Sequence, residues 1–346
     1  MKFDYEYYSD LEKVLVHIPE KEKIYGSKIY ITGVTGLICS AVTDILLFLN
    51  KKYDAGINLL LAGRDRERVR ERFSDYKENV DYFFVKYDAT IAIEQQFKTD
   101  YIIHGAGISD PAGYVQQPVE TMLTNINGIN ELLKMAALNG NKRVLYISSS
   151  EVYGSKDNDK PFEEADYGFV DILKQRSCYP SAKRAAETLC IAYSYEHGVD
   201  AVIARPGHIF GQMMTNTDSK ASAQFAAKAA AGNDIVMKSA GMQIRSYCYG
   251  LDCASAILTI LINGKCREAY NISDRNSVVT IREFAETMAE AGGVKVIFEQ
   301  PSDTEKSGYS VMTNSSLCSD KLEALGWKPC FTLKEAIHKT ICGLRK

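Results

Sequence analysis

With 346 residues, 46 % of them hydrophobic and 25 % charged, the chain can bury a core around a ligand cleft, as one large domain or two unequal ones. A net charge of −3 and a pI near 6.0 leave no basic surplus for nucleic acid, and no local basic patch supplies one. The longest apolar runs, such as AVTDILLFL, carry charge or stop short of the roughly 18 to 20 residues that cross a membrane. The acidic, aromatic start MKFDYEYYSDLEKV lacks the order of a signal peptide, and nine scattered cysteines without a C-x-x-C pair read as reduced thiols of a cytoplasmic protein.

In chain order, residues 1–25 form an extension in which Ser9 or Asp10 would cap a short helix through Val14, with Pro19 ending it. It reads as a packing arm, with a part in dimerisation as the alternative. KIYITG then predicts a strand, 37–51 an amphipathic helix and INLLLAG a second strand. The pattern continues with a helix over 64–74, strands at DYFFVKYD and DYIIHGAG, a helix over 118–138, a strand at RVLYISSS, a helix over 180–197 and a strand at DAVIARPG. Continuous apolar strands alternating with amphipathic helices predict an α/β, doubly wound parallel sheet over residues 26–205. From 206 to 346 the regularity loosens into a smaller substrate-binding lid, some segments of which return to the sheet. It would hold a helix near 223–231, strands at IVM and EAYNIS, and helices in TIREFAETMAEAG and LKEAIHKTICGL.

Directly after the first strand stands Gly33-Val-Thr-Gly36-Leu-Ile-Cys39, a G-x-x-G-x-x-G loop whose third glycine is cysteine. Such a loop lets the backbone approach a pyrophosphate, whose charge meets the N–H groups of the following helix. Gly33, Thr35, Gly36, Leu37 and Ile38 are the candidate contacts, with a slightly displaced helix expected from Cys39. The second strand ends on Arg64-Asp65, where the adenosine ribose of a Rossmann-type site would lie. Asp65 argues for NAD and Arg64 for NADP, while Arg66 and Arg68 read as the solvated face of the next helix. Asp88 with Ala89, Gly105-Ala106-Gly107, Ile147 and Pro206 are further cofactor candidates at strand ends; His104 reads as structural.

Tyr179 and Lys183 stand four apart at the head of the helix YPSAKRAAETLCIAYSY and share a face. A phenol with a pKa near 10 is a poor base at neutral pH, but a lysine ammonium and a positive nicotinamide ring both favour the phenolate. Tyr179 could then take a proton from a sugar hydroxyl while hydride leaves the same carbon. Ser148, Ser149, Ser150 and Glu151 lie at a carboxyl end of the parallel sheet, where a hydroxyl can share that proton.

On TGVTG, PVETMLTNINGINELL, YISSSEVYG, the tyrosine–lysine pair, ARPGHIFG, IRSYCYGLD, EAYNIS and LEALGWKP, the chain resembles the extended short-chain dehydrogenase/reductases that act on nucleotide sugars. Its segment RSCYPSAKRAAETLCIAY is most like the UDP-glucuronate decarboxylases of that family. The resemblance implies bound NAD or NADP, a nucleotide-diphosphate sugar as substrate, and a homodimer paired through helices 118–138 and 180–197. It also implies transient oxidation at C4, followed by decarboxylation, dehydration or epimerisation. By position it makes Tyr179, Lys183 and Ser149 the catalytic set, Ser150 and Glu151 the acid and base of a second step, and Asn125 a structural asparagine beside the cofactor. Arg245 would pair with the diphosphate, and Lys220 and Gln224 would close over the nucleotide.

Two departures stand out. His208 occupies a place where the family often has asparagine, so a pH-sensitive or reshaped diphosphate site is expected there. Thirteen residues before Trp327, where the decarboxylases carry an arginine, this chain has Asn314. A dinucleotide sensor or scaffold without turnover, and a net NADPH-dependent sugar reductase, remain alternatives. The sequence shows no G-x-S-x-G elbow and no clustered metal ligands.

Overall fold

The computed structural model describes residues 5–93, 98–215, 218–300 and 312–345. Seven parallel strands form the central sheet in the order β3-β2-β1-β4-β5-β6-β10. They are β1 (Lys28–Thr32), β2 (Asn58–Gly63), β3 (Phe83–Lys86), β4 (Tyr101–His104), β5 (Arg143–Ile147), β6 (Ala201–Pro206) and β10 (Ala269–Ile272). The expected α/β, doubly wound class is what folds. The helices that cover the sheet include α2 (Leu37–Tyr53), α3 (Arg66–Arg72), α5 (Pro118–Asn139), α6 (Cys178–His197) and α8 (Gly250–Asn263).

The chain leaves β1 toward β2 on one side and later places β4 on the other, with Thr32 opposite Ala62 and opposite His104. The strand order reverses between β1 and β4, and that reversal opens a crevice above their carboxyl ends. Beyond Pro206 the chain builds β7 (His208–Phe210), parallel to β9 (Ile244–Tyr249), which pairs antiparallel with β11 (Val278–Thr280). A separate parallel pair joins β8 (Ile235–Met237) to β12 (Val296–Phe298), while β10 goes back to the edge of the main sheet beside β6.

Several boundaries differ from expectation for physical reasons. The first helix, α1 (Tyr5–Leu15), is already formed before Ser9, so neither Ser9 nor Asp10 caps it. Tyr7, Asp10, Leu11, Val14 and Leu15 make a buried stripe on its inner face. Tyr7 donates to Asp44 of α2 at 2.7 Å, and Lys339 meets Asp10 at 2.9 Å, so the extension is packed onto the body of the protein. Helix α3 starts at Arg66 rather than at 64 because the Asp65 side chain caps it, accepting from the N–H groups of Glu67 (3.0 Å) and Arg68 (3.2 Å), and it ends at Arg72. Helix α8 escapes sequence reading because GLDCASAILTILIN is buried on every face and therefore shows no amphipathic period. The Trp327 indole donates to Ser255 on this helix at 2.9 Å, which anchors the LGWKP segment to the core.

Candidate active site

The loops after β1 and β4 emerge side by side and touch. Gly33 adopts φ +73°, and a Cβ there would stand 2.7 Å from the carbonyl carbon of Gly105. No side chain is tolerated at that approach, so the glycine is required by conformation and by space. Cys39 fills the third glycine position, and its thiol lies against Gly105, which has no side chain to oppose it. Burial pushes that thiol up to about 12, so it is inert at neutral pH. Helix α2 starts at Gly36 without a side-chain cap, which leaves its first-turn N–H groups open to an anion. Glycines in close approach and an uncapped helix start suit a dinucleotide pyrophosphate.

A cleft of about 650 Å³ runs from this loop across the sheet ends to the smaller strands. One wall carries Gly33, Thr35, Gly36, Leu37 and Ile38, facing Gly105 and Gly107. Its floor is Ile147 with Ser149, Ser150 and Glu151, flanked by Tyr179 and Lys183. The far wall presents Pro206, His208, Lys220 and Arg245.

Seven candidate residues lie outside this lining, six of them with a local task. Asp65 caps α3 as described. Asp88 accepts from the N–H and hydroxyl of Thr90 (2.9 and 2.7 Å), bonds that hold its carboxyl below the usual range. Ala89 packs near Gly128, and the Ala106 N–H donates to Thr32 at 3.2 Å. Asn125 donates to the carbonyls of Thr121 (2.8 Å) and Ile108 (3.1 Å), fastening the segment after β4 from behind. Gln224 donates to the Asp218 carbonyl at 2.6 Å, and Arg64 is exposed at the end of β2. Arg68, expected on a solvated face, is exposed and also borders the cleft.

Tyr179 and Lys183 occupy the first two turns of α6, both buried. Burial pushes the Tyr179 phenol up to about 12, although the nearby hydroxyls of Ser149 and Tyr114 lower it. Lys183 Nζ donates to the Ile147 carbonyl at 2.9 Å and sits 5.7 Å from the Tyr179 ring centroid. Burial draws the lysine down to about 8, so at neutral pH it is charged and the phenol is not. Ser149 also accepts from the Glu151 N–H at 3.2 Å, which starts the turn Ser150–Tyr153 and fixes Glu151 over the floor.

The depressed lysine makes a prediction with a definite sign. The folded chain binds this proton less tightly than the unfolded one, for which 10.5 applies, so the cost of burying the charge is complete below about pH 8 and fades up to 10.5. Lys183→Met is expected to raise stability at neutral pH by about 1–2 kcal/mol, after loss of the Ile147 hydrogen bond, while it abolishes turnover. Denaturant melts should show the gain at neutral pH and little of it at about pH 10; an equal gain at both would refute the assignment.

Two residues of the site went unassigned in the sequence. Tyr114, on the short helix α4 (Pro111–Gln116), stacks on Tyr179 with centroids 4.5 Å apart and planes 15° apart. Its available signal was Asp110-Pro111, a helix start. Arg176, three residues before Tyr179, grips Glu151 with both arms of its fork, Nη1–Oε2 and Nη2–Oε1 each at 3.0 Å. Asn314 does not line the cleft; it donates to the Asp159 carbonyl at 2.6 Å and accepts from Ser316. Arg176, just before α6, supplies the guanidinium that pairs with Glu151.

The far wall is positive. Arg245 is buried and donates only to the carbonyls of Ile244 (2.8 Å) and Met312 (3.2 Å), with no carboxylate partner among the described residues. Burial lowers its pKa, so an incoming anion would relieve a standing cost. His208 shares a hydrogen bond with Ser315 at 3.1 Å. Burial, then the charges of Arg245 and Lys220, push it down to about 3, which favours the neutral imidazole at neutral pH.

UDP-glucuronic acid decarboxylase 6 of Arabidopsis thaliana is 30 % identical over 315 residues, covering 90 % of this chain and 86 % of that protein. UDP-glucuronic acid decarboxylase 1 of Xenopus tropicalis is 27 % identical over 337 residues, covering 95 % and 74 %. Among solved structures, UDP-glucose 4-epimerase of Thermotoga maritima with UDP-glucose superposes with a TM-score of 0.76 at 21 % identity, covering 92 % of this chain and 98 % of that one. dTDP-glucose 4,6-dehydratase of Bacillus anthracis in complex with NAD gives 0.75 at 19 %, covering 92 % and 96 %; both share the fold. The model of the NAD dependent epimerase/dehydratase family matches residues 29–273. That match runs from the first strand of the main sheet to its last, and the chain belongs to the NAD dependent epimerase/dehydratase family.

Proposed function

We propose that this enzyme oxidises a nucleotide-diphosphate sugar at C4 and then breaks a bond at C5, with loss of a carboxylate as CO2 as the reaction. The observation that carries the reading is the meeting of Ser149, Tyr179 and Lys183 with the Glu151–Arg176 pair on one cleft floor. When bound, the oxidised nicotinamide supplies a hydride acceptor for C4 and a positive charge that pulls the Tyr179 pKa down. Tyr179 takes the O4 proton and later returns it, with Ser149 holding the same oxygen. Lys183, tied to the Ile147 carbonyl, keeps a cation beneath the phenol. A C4 ketone makes a C5 carboxylate a β-keto acid, which loses CO2 as the electron pair moves onto the carbonyl; the enolate then takes a proton at C5, and return of the hydride to C4, with the proton Tyr179 gives back to O4, restores the alcohol. Arg176 can turn from Glu151 to that carboxylate, and Arg245 meets the diphosphate.

The names of similar decarboxylases support the C5 step. The test is mass spectrometry of nucleotide sugars incubated with the enzyme. A product lighter by CO2 than the uronate supplied supports the reading. Loss of water, an unchanged mass with inverted C4, or stoichiometric consumption of NADPH would replace it with a dehydratase, an epimerase or a reductase. A homodimer through α5 and α6 is part of the same proposal, supported by Val119, Leu123 and Tyr195 standing exposed on those helices. Sedimentation as a monomer would remove that part.

A further inference from the structure

Lys183 holds its charge where little around it is charged. It is buried, 6 % exposed, and its ammonium donates to the Ile147 carbonyl. Glu187 stands one turn further along α6, but both its oxygens are gripped by the Arg205 fork, at 3.0 and 2.7 Å. The titratable groups nearby on the other packed elements, and the remaining ones on α6, are uncharged at neutral pH. Burial pushes up the thiols of Cys39 on α2 and Cys190 on α6, and the Tyr179 phenol to about 12. Burial draws His104 on β4 down to about 3, and its Nδ1 lies 2.7 Å from the Thr32 hydroxyl. What the ammonium does meet is an aromatic face. Nζ lies over the ring of Tyr146 on β5, 4.7 Å from its centroid, nearer than the 5.7 Å to Tyr179.

We propose that Tyr146 is a positioning residue of the site, the negative face of its ring holding the Lys183 ammonium charged and in place beside the catalytic phenol. The proposal rests on the oxidation assigned to Tyr179 and Lys183 and names what sustains its cation. Desolvation works against the ammonium and draws it down to about 8, so further loss of support would discharge it near neutral pH. An aromatic face attracts a desolvated cation more strongly than an exposed one, which suits a lysine in this position. The ring is fixed: Tyr146 is 1 % exposed and stacks beside His104, with centroids 5.9 Å and planes 22° apart. Because that imidazole is neutral, it does not compete with the lysine for the ring. The Tyr146 hydroxyl has no hydrogen-bond partner among the described residues, so the ring, and not the phenol oxygen, is what the site uses.

Nuclear magnetic resonance of the full chain carrying isotope-labelled lysine tests this without sugar or dinucleotide, the Lys183 signal being the one missing in Lys183→Met. In the wild-type chain the Lys183 ε-methylene should stand upfield of the other lysines through the ring current, and should titrate near pH 8. Tyr146→Phe keeps the ring and should keep both properties. Tyr146→Met fills much of the space without a π face; it should lose the upfield position and titrate about one pH unit lower. In stopped-flow oxidation of an activated sugar, the alkaline fall of the rate should then come about one pH unit earlier. That is a loss of about tenfold at about pH 9 and about twofold at neutral pH, with Tyr146→Phe behaving as wild type. An ordinary position of the signal in the wild-type chain, which is read whether or not Tyr146→Met folds, would overturn the proposal, as would an unchanged titration in that variant. A titration that moves while the rate profile stays would overturn the oxidative role of Lys183 and leave the contact standing.

Discussion

Tyr179→Phe is expected to slow nicotinamide reduction by an activated sugar by about 10³-fold, with dinucleotide affinity unchanged. The phenol ring is held by packing against Tyr114 and by its place in α6, so the phenylalanine should sit where the tyrosine sat. What disappears is the hydroxyl whose pKa Ser149 and Tyr114 lower. Tyr114→Phe and Ser149→Ala test the same oxygen more gently. Each removes a hydrogen bond that lowers the Tyr179 pKa, so each should shift the alkaline rise of the oxidation rate to higher pH and cost about tenfold near neutrality. Stopped-flow absorbance across the pH range reads both effects. Full activity in Tyr179→Phe would remove it from the chemistry, and an unshifted profile in Tyr114→Phe would reduce that residue to packing.

The alternation of apolar strands with amphipathic helices carried enough information to place the main sheet, because a parallel strand covered on both faces must be apolar along its length. The same logic hides α8, whose twelve buried residues out of fourteen leave no polar face to betray a helix. At the site, residues whose role follows from local spacing were legible: Gly33 and Gly36 after a strand, Tyr179 and Lys183 one turn apart. Residues that act through a partner far along the chain were not. Arg176 acquires its place only when the segment before α6 folds against Glu151, 25 residues earlier. Tyr114 needs α4 to be laid over α6. Asp65, legible as a strand-end carboxylate, proves also to cap α3, accepting from two N–H groups of its own first turn. His208 reads as a titrating group in sequence, whereas burial and the charges of Arg245 and Lys220 favour its neutral form.

Glu151→Gln should separate the two halves of the reaction. The pair with Arg176 is only half-buried, with side chains 23 % and 36 % exposed, so its loss costs about 1 kcal/mol of stability at most and the fold survives. Oxidation at C4 draws on Tyr179, Ser149 and Lys183 and should continue. The later step loses its carboxylate, and overall turnover should fall by about 10² to 10³-fold while the reduced nicotinamide accumulates in a single burst. Arg176→Met should give the same burst, since it removes the fork that holds Glu151 in place and that would hold a C5 carboxylate. Because both substitutions break one unit, the double variant should be little worse than either alone. Arg176→Lys keeps the charge but not the two parallel bonds, and only partial recovery is expected of it. A plain 4-epimerase has no use for this pair and would turn over almost normally in all of these variants, so the burst absorbance alone distinguishes the C5 chemistry from simple inversion.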